Sequence, residues 1–433
     1  MLMHGPAARR RIAGSVLALA ALLQATPVLP QGARGHRASK VVAAAATAVP
    51  APPALRDGQA ETRLMAVYQL VAAGRSREAL VQAESLARDY PNFQLAQLAV
   101  GDLLMSRTRP VPTPRTLGTM PPVPDGVPGL QAATTLEELR TEWRQRLEAQ
   151  RSRPPAHSVP AHFLELSTRS RHAIAVDASR SRLYLFENTA QGLRLVADYY
   201  ASVGKLGIEK VVEGDQRTPL GVYFITSRLD PATLKDFYGA GALPINYPNP
   251  LDQSRGKTGS GIWLHGTPPE QFSRAPLASD GCLVLANPDL ERILRTVEPR
   301  STPVVIARQL QWVQPHSIQA ERKSFDAVLN AWRNAKTEGD MKRLLGFYAP
   351  DFQSYRQKPL NEWSQVLQAE TRALKGRELQ LKDRSYLRWT DSADTMVVTF
   401  GEVAEGARTG PVKRQYWTRR GQQWQIFFEG VIG

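Results

Sequence analysis

The chain has a single cysteine, Cys282, and only seven histidines in 433 residues. With one thiol no disulfide can form within the chain, and the residues call for no metal and no cofactor. Long apolar runs are missing too. The only one, Ile12 to Leu23, is shorter than the roughly 20 residues a membrane-spanning helix needs, so an integral membrane protein is not expected. No motif with base-stacking aromatics is present, which argues against nucleic acid as a partner.

What is present begins with "ARRRIAGSVLALAALLQATP", three arginines (Arg9 to Arg11) followed by the short apolar run. A positive stretch, then an apolar one, reads as a secretory signal over residues 1–25, rather than as a buried helix. The expected location is therefore the periplasm or cell envelope. The formal charge is +15, from 55 Lys and Arg against 40 Asp and Glu, and the excess is scattered. Such a surface favours anionic partners, such as wall polymers or phospholipid head groups. Hydrophobic residues make up 42% and charged residues 22%, a globular composition long enough for two or three domains.

Composition divides the chain. Residues 26–58 are rich in Ala, Pro, Gly and Arg and read as a flexible tether. Residues 59–107 carry apolar positions at helical spacing, broken at Gly74 and Pro91, and predict two or three short helices. These fit either a tetratricopeptide-like region or a lone helical hairpin. A proline-rich linker over 108–134 and a charged helix with its connector over 135–171 follow. From His172 the apolar period shortens to two: "HAIAVDASRSRLYLFENTAQGLRLVADYYASVG" predicts a three-stranded meander, turning at Ser179–Ser181 and Gln191–Gly192. "GVYFIT", "GIWLH" and the buried strand "TPVVIAR" extend this into a β-rich domain, with a short helix "PDLERILRTV" for which Asn287 is the expected N-cap. Residues 318–433 read as helix, breaker at Gly339, helix, then antiparallel strands. This pattern resembles the SnoaL-like (nuclear-transport-factor-like) α+β cone. The expected fold is thus multi-domain: a helical N-terminal region, a β-rich centre and a cone-like C-terminal domain.

Taken alone, Cys282 reads first as a small buried hydrophobe and only second as a nucleophile. A nucleophilic thiol needs a base, because at its ordinary pKa of about 8.5 little thiolate exists at neutral pH. His265, ending an apolar strand sixteen residues before Cys282, is the best candidate. His157, His162 and His316 sit in linker-like surroundings, and His172 opens a strand. Gly281 allows a close backbone approach, so the amides of Gly281 and Cys282 are expected to form an oxyanion hole, with each donor contributing about 2.7–4 kcal/mol.

The stretch "HGTPPEQFSRAPLASDGCLVLAN" resembles the signature of the L,D-transpeptidase catalytic domain (YkuD) family, a His-Gly pair followed by Ser/Thr-x-Gly-Cys, and the likeness extends over residues 172–308. The resemblance implies a thioester mechanism on tetrapeptide stems of peptidoglycan, with Cys282 as nucleophile, His265 as base and then acid, and Ser279 ordering the cysteine loop. A second stem amine, a lipoprotein lysine or water would accept the acyl group. The sequence departs from the family at Asp280, where many members carry histidine, and at Val284, where many carry arginine. Asp280 reads as a solvated turn residue, as a group orienting His265, or as one repelling acidic acceptors. A transpeptidase, a thiol hydrolase on the same chemistry and a non-catalytic wall-binding scaffold all remain open. The C-terminal domain, with Trp332, Trp363, Trp389, Trp417 and Trp424 and with acids scattered on apparently exposed turns, is expected to be a targeting module rather than a second enzyme.

Overall fold

The computed structural model describes residues 58–108, 130–374, 376–391 and 394–432. The expected signal over 1–25, nearly all of the tether over 26–58 and most of the proline-rich linker lie outside them. The chain opens with α1 (Gln59–Ala72), α2 (Ser76–Asp89), α3 (Gln94–Thr108) and α4 (Leu130–Arg151). The last begins five residues earlier than the expected Thr135. In α2 the buried positions are Ala79, Leu80, Ala83 and Leu86, the i, i+1, i+4, i+7 spacing of one helix face. They close on Leu64 and Val67 of α1 and on Leu95, Ala96 and Ala99 of α3, giving the helical region its own core.

Two short strands follow, β1 (Val159–Pro160) and β2 (Phe163–Glu165), and then the predicted meander as β3 (His172–Asp177), β4 (Arg182–Thr189) and β5 (Gly192–Tyr200). The β-rich domain continues with β6 (Val203–Gly204), β7 (Gly221–Phe224), β8 (Ala242–Pro244), α5 (Pro250–Ser254), β9 (Trp263–His265), β10 (Leu277–Ser279), β11 (Leu283–Val284), α6 (Asn287–Thr296), β12 (Pro303–Ala307) and β13 (Trp312–Val313). The main sheet has the order β5-β4-β3-β12-β7. Every residue of β12 is buried, as a continuous apolar run at the centre of a sheet covered on both faces requires. A three-stranded sheet, β11-β9-β8, and a two-stranded one, β10-β6, carry the residues around Cys282.

The C-terminal part contains α7 (Gln319–Glu338), α8 (Met341–Leu345), β14 (Tyr348–Ser354), α9 (Leu360–Leu374), β15 (Leu379–Trp389), β16 (Thr395–Ala404), β17 (Val412–Arg420) and β18 (Gln423–Val431). Its sheet runs β14-β18-β17-β16-β15-β2, so the edge strand β2 is lent by the connector that precedes the β-rich domain. Pairing of β1 with β13 closes the same joint. The sheet is covered on both faces. Met396, Val398 and Phe400 pack towards α7 and α9, whereas Val397, between them in β16, belongs to the core of the β-rich domain, as strand alternation dictates.

Trp332, Trp363, Trp389 and Trp417 lie in the buried core. One expectation for this region is corrected. The acids are not all on exposed turns: Glu370, Glu402 and Glu429 surround two buried lysines, with Lys413 Nζ at 2.7 Å from Glu370, 2.8 Å from Glu402 and 3.1 Å from Glu429. Lys336 binds Glu370 at 2.6 Å and also pairs with Glu402. Burial pushes the Glu402 carboxyl up, but the two lysines outweigh it and hold the group down at about 2. His162 is likewise no linker residue. It is buried beside Trp389, ring centroids 5.8 Å apart, and burial pushes its pKa down to about 4. No helix among the described residues is long and apolar enough to cross a membrane.

Candidate active site

Parallel pairing of β9 with β11 sets Leu264 opposite Leu283 and His265 opposite Val284. Cys282 therefore lies just before β11, two residues before the partner of His265. Cys282, His265, Ser279 and Gly281 are thus brought together. Asp280 points away: its carboxylate accepts from Lys205 Nζ at 3.0 Å and Gln216 Nε2 at 3.2 Å, which favours the solvated turn over a role orienting His265. Val284 is buried.

The cysteine loop is fixed from below. Ser279 Oγ donates to the Cys282 carbonyl at 2.6 Å and accepts from the Gly281 N–H at 3.1 Å. Buried Thr218 donates to the Gly281 carbonyl at 3.0 Å. Gly281 has φ 118°, and a Cβ there would meet the Arg217 carbonyl oxygen at 2.7 Å, so only glycine fits. In this resting site the Gly281 N–H is given to Ser279 Oγ.

His265 is 1% exposed, and its Nδ1 lies 2.7 Å from the Gly266 carbonyl. A carbonyl only accepts, so Nδ1 carries the proton and Nε2 offers its lone pair. Burial pushes the imidazole pKa down to about 4; the Gly266 carbonyl opposes this, and Arg274 adds to it. Phe237 and Tyr238 flank the ring at 5.8 and 5.1 Å. The Cys282 thiol is oriented towards the Gly261 carbonyl at 3.5 Å. Burial pushes it up to about 11, against the pull of a hydrogen bond from the Trp263 backbone. Both groups are therefore neutral near pH 7, and a thiolate–imidazolium pair is not preformed: burial penalises each charged form more than the neighbours reward it.

Sequence reasoning missed three supports. Asn287 does not cap α6. Its Oδ1 accepts from Ala240 N–H at 2.9 Å and Thr267 N–H at 3.2 Å, and its Nδ2 donates to the Thr267 carbonyl at 2.8 Å, pinning the turn after His265. A Cβ on Gly266 would sit 2.0 Å from that Oδ1, which explains the glycine after the histidine. Arg274, the one cation between His265 and Cys282 in sequence, stacks on Phe237 with its guanidinium 4.3 Å from the ring centre. That lone cation was the available signal.

The third support is the helical region. Phe272 inserts against Tyr90 and Phe93, with ring centroids at 5.5 and 4.2 Å, and its N–H donates to the Asn92 carbonyl at 3.1 Å. Ser273 Oγ donates to Glu142 at 2.7 Å. Glu142 is held by Arg146 at 2.7 Å, and Arg146 lies over Tyr200, 3.9 Å from the ring centre, while Tyr200 donates to the Arg274 carbonyl at 2.8 Å. The segment joining His265 to Cys282 is thus clamped by α4 and by the turn between α2 and α3. A cavity of about 750 Å³ opens here, with Lys205, Phe237, Arg274 and Asp280 on one side and Glu138 and Leu139 of α4 on the other.

Residues 171–306 match the L,D-transpeptidase catalytic domain family, YkuD, and residues 324–430 match the Cds6 C-terminal NTF2-like domain. The chain therefore contains a YkuD L,D-transpeptidase catalytic domain followed by an NTF2-like domain. Its fold is similar to that of Bdellovibrio bacteriovorus Bd1075, at 25% identity and a TM-score of 0.55, covering 64% of this chain and 98% of that one. It is also similar to the helical cell shape determining protein Pgp2 from Campylobacter jejuni, at 19% identity and a TM-score of 0.49, covering 66% of this chain and 99% of that one. No curated protein matches the chain.

Proposed function

We propose that the protein is an exported, cysteine-dependent L,D-transpeptidase acting on peptidoglycan stem peptides. The observation that carries this reading is the parallel pairing of β9, which ends at His265, with β11, which starts directly after Cys282, within the segment that matches the YkuD domain. Cys282 Sγ attacks the carbonyl between an L-centre and the following D-alanine. As the S–C bond forms, the thiol proton passes to His265 Nε2, and from there to the leaving nitrogen as the C–N bond breaks. D-Alanine departs and a thioester remains. The Cys282 N–H stabilises the oxyanion, joined by the Gly281 N–H once it leaves Ser279. His265 then deprotonates the acceptor, a stem amine or a lipoprotein lysine, and returns the proton to sulfur.

Transfer of the same thioester to water would make the protein a hydrolase. Incubation with purified tetrapeptide muropeptides separates the readings. A crosslinked dimer with release of D-alanine supports the transpeptidase. Tripeptide alone establishes the hydrolase, and an unchanged substrate with folded protein leaves only a wall-binding scaffold.

A further inference from the structure

Six lysines and arginines are buried among the described residues: Arg146, Arg182, Lys210, Lys336, Lys413 and Arg414. Five of them are paired with a carboxylate: Arg146 with Glu142, Arg182 with Glu61, Lys210 with Asp215, and both Lys336 and Lys413 with Glu402. Arg414 is 8% exposed and has none among the described residues. Its guanidinium lies over the Phe224 ring, 3.3 Å from the centre, and Nε donates to Thr399 Oγ1 at 3.1 Å. Neither contact neutralises the charge, and a buried charge without a counter-ion is costly. Burial pushes its pKa down to about 10.

Arg414 lines a cavity of about 230 Å³ between the catalytic domain and the face of the C-terminal sheet that packs on it. The charged lining comprises three guanidinium groups, Arg169, Arg300 and Arg414, and one carboxylate, Asp383. Asp383 is already bound to Arg169 at 2.7 Å. The other walls are largely apolar, with Phe224, Leu387 and Val412 among them. We propose that this cavity is a binding site for a small organic carboxylate carrying a short apolar group. The two terminal nitrogens of Arg414 donate to the carboxylate, in the forked geometry a guanidinium offers, and the apolar group lies against Val412 and Leu387. Inorganic phosphate fits less well, since Asp383 also lines the cavity and repels a second negative charge, and Arg169 is already paired with it. The ligand would bridge the catalytic and C-terminal domains, apart from Cys282, so its occupancy would tighten that joint.

The test is titration of the full chain with isobutyrate, with its neutral isostere isobutyramide and with inorganic phosphate, followed by calorimetry and thermal unfolding. Isobutyrate should bind and raise the unfolding temperature, and isobutyramide should bind about tenfold or more weakly, the worth of a charge-assisted hydrogen bond. Arg414→Met should lower isobutyrate affinity by a similar factor, whereas Cys282→Ala should leave it unchanged. The acid–amide comparison on the wild-type protein stands even if Arg414→Met fails to fold. Equal affinity for acid and amide, tighter binding of phosphate, full affinity in a folded Arg414→Met variant, or no binding by wild type would each overturn the proposal.

Discussion

Cys282 and His265 are shifted in the directions that keep both neutral, the thiol up to about 11 and the imidazole down to about 4. Below its pKa a thiol gains about tenfold in thiolate per pH unit. The rate of Cys282 alkylation by iodoacetamide should therefore climb steadily from pH 6 to pH 9 without a plateau. A flat rate across that range would show a preformed ion pair. Asp289 is also buried; burial pushes its carboxyl up to about 7, although the Gly58 N–H donates to it at 2.6 Å. Its folded pKa lies above the unfolded value, so the proton it holds favours the folded state fully below about pH 4, and that advantage is lost as pH rises to about 7. Asp289→Asn should accordingly raise stability by about 1–3 kcal/mol at pH 8 and leave it unchanged at pH 3, measured by chemical unfolding. An equal effect at both pH values would contradict the account.

At the scale of elements, the segment between His265 and Cys282 is held by the helical region through Phe272 and Ser273, and by Asn287 at its start. Phe272→Ala and Asn287→Ala should each lower turnover on the order of 10–100-fold while the circular dichroism spectrum is kept, since small misplacements of reacting groups cost that much. Unchanged turnover in both variants would mean that the clamp does not position the site. This level is where the sequence was least legible. The strand that ends at His265 can be read from local pattern, and so can β12, whose apolar run needs no context. Asn287-Pro288 has the local form of a helix start, and nothing nearby in sequence says that its amide is claimed by Ala240 and Thr267. The neutral state of the pair was equally hidden, because burial is a property of the packed site.

For the whole molecule, long-range pairing is what escaped the sequence. β2 lies in a stretch that reads as connector, yet it completes the C-terminal sheet some two hundred residues away, and Leu387, Val397 and Tyr416 of that sheet sit in the same core as β3 and β12. Truncation after Gln314 would strip this face and leave β2 unpaired. The truncated chain should unfold at lower temperature or aggregate, rather than survive as an independent catalytic domain; a truncated chain with the full-length unfolding temperature would contradict this shared core. A targeting role for the C-terminal domain is therefore better tested by surface substitutions that spare the joint. The central claim is that Cys282 carries the acyl group, and intact-mass spectrometry of protein quenched in acid during turnover of tetrapeptide muropeptides tests it most directly. The account predicts an adduct of the substrate mass less D-alanine on the wild type, located at Cys282, and no adduct on Cys282→Ala. D-Alanine release by Cys282→Ala at the wild-type rate, or an adduct on any other residue, would contradict it.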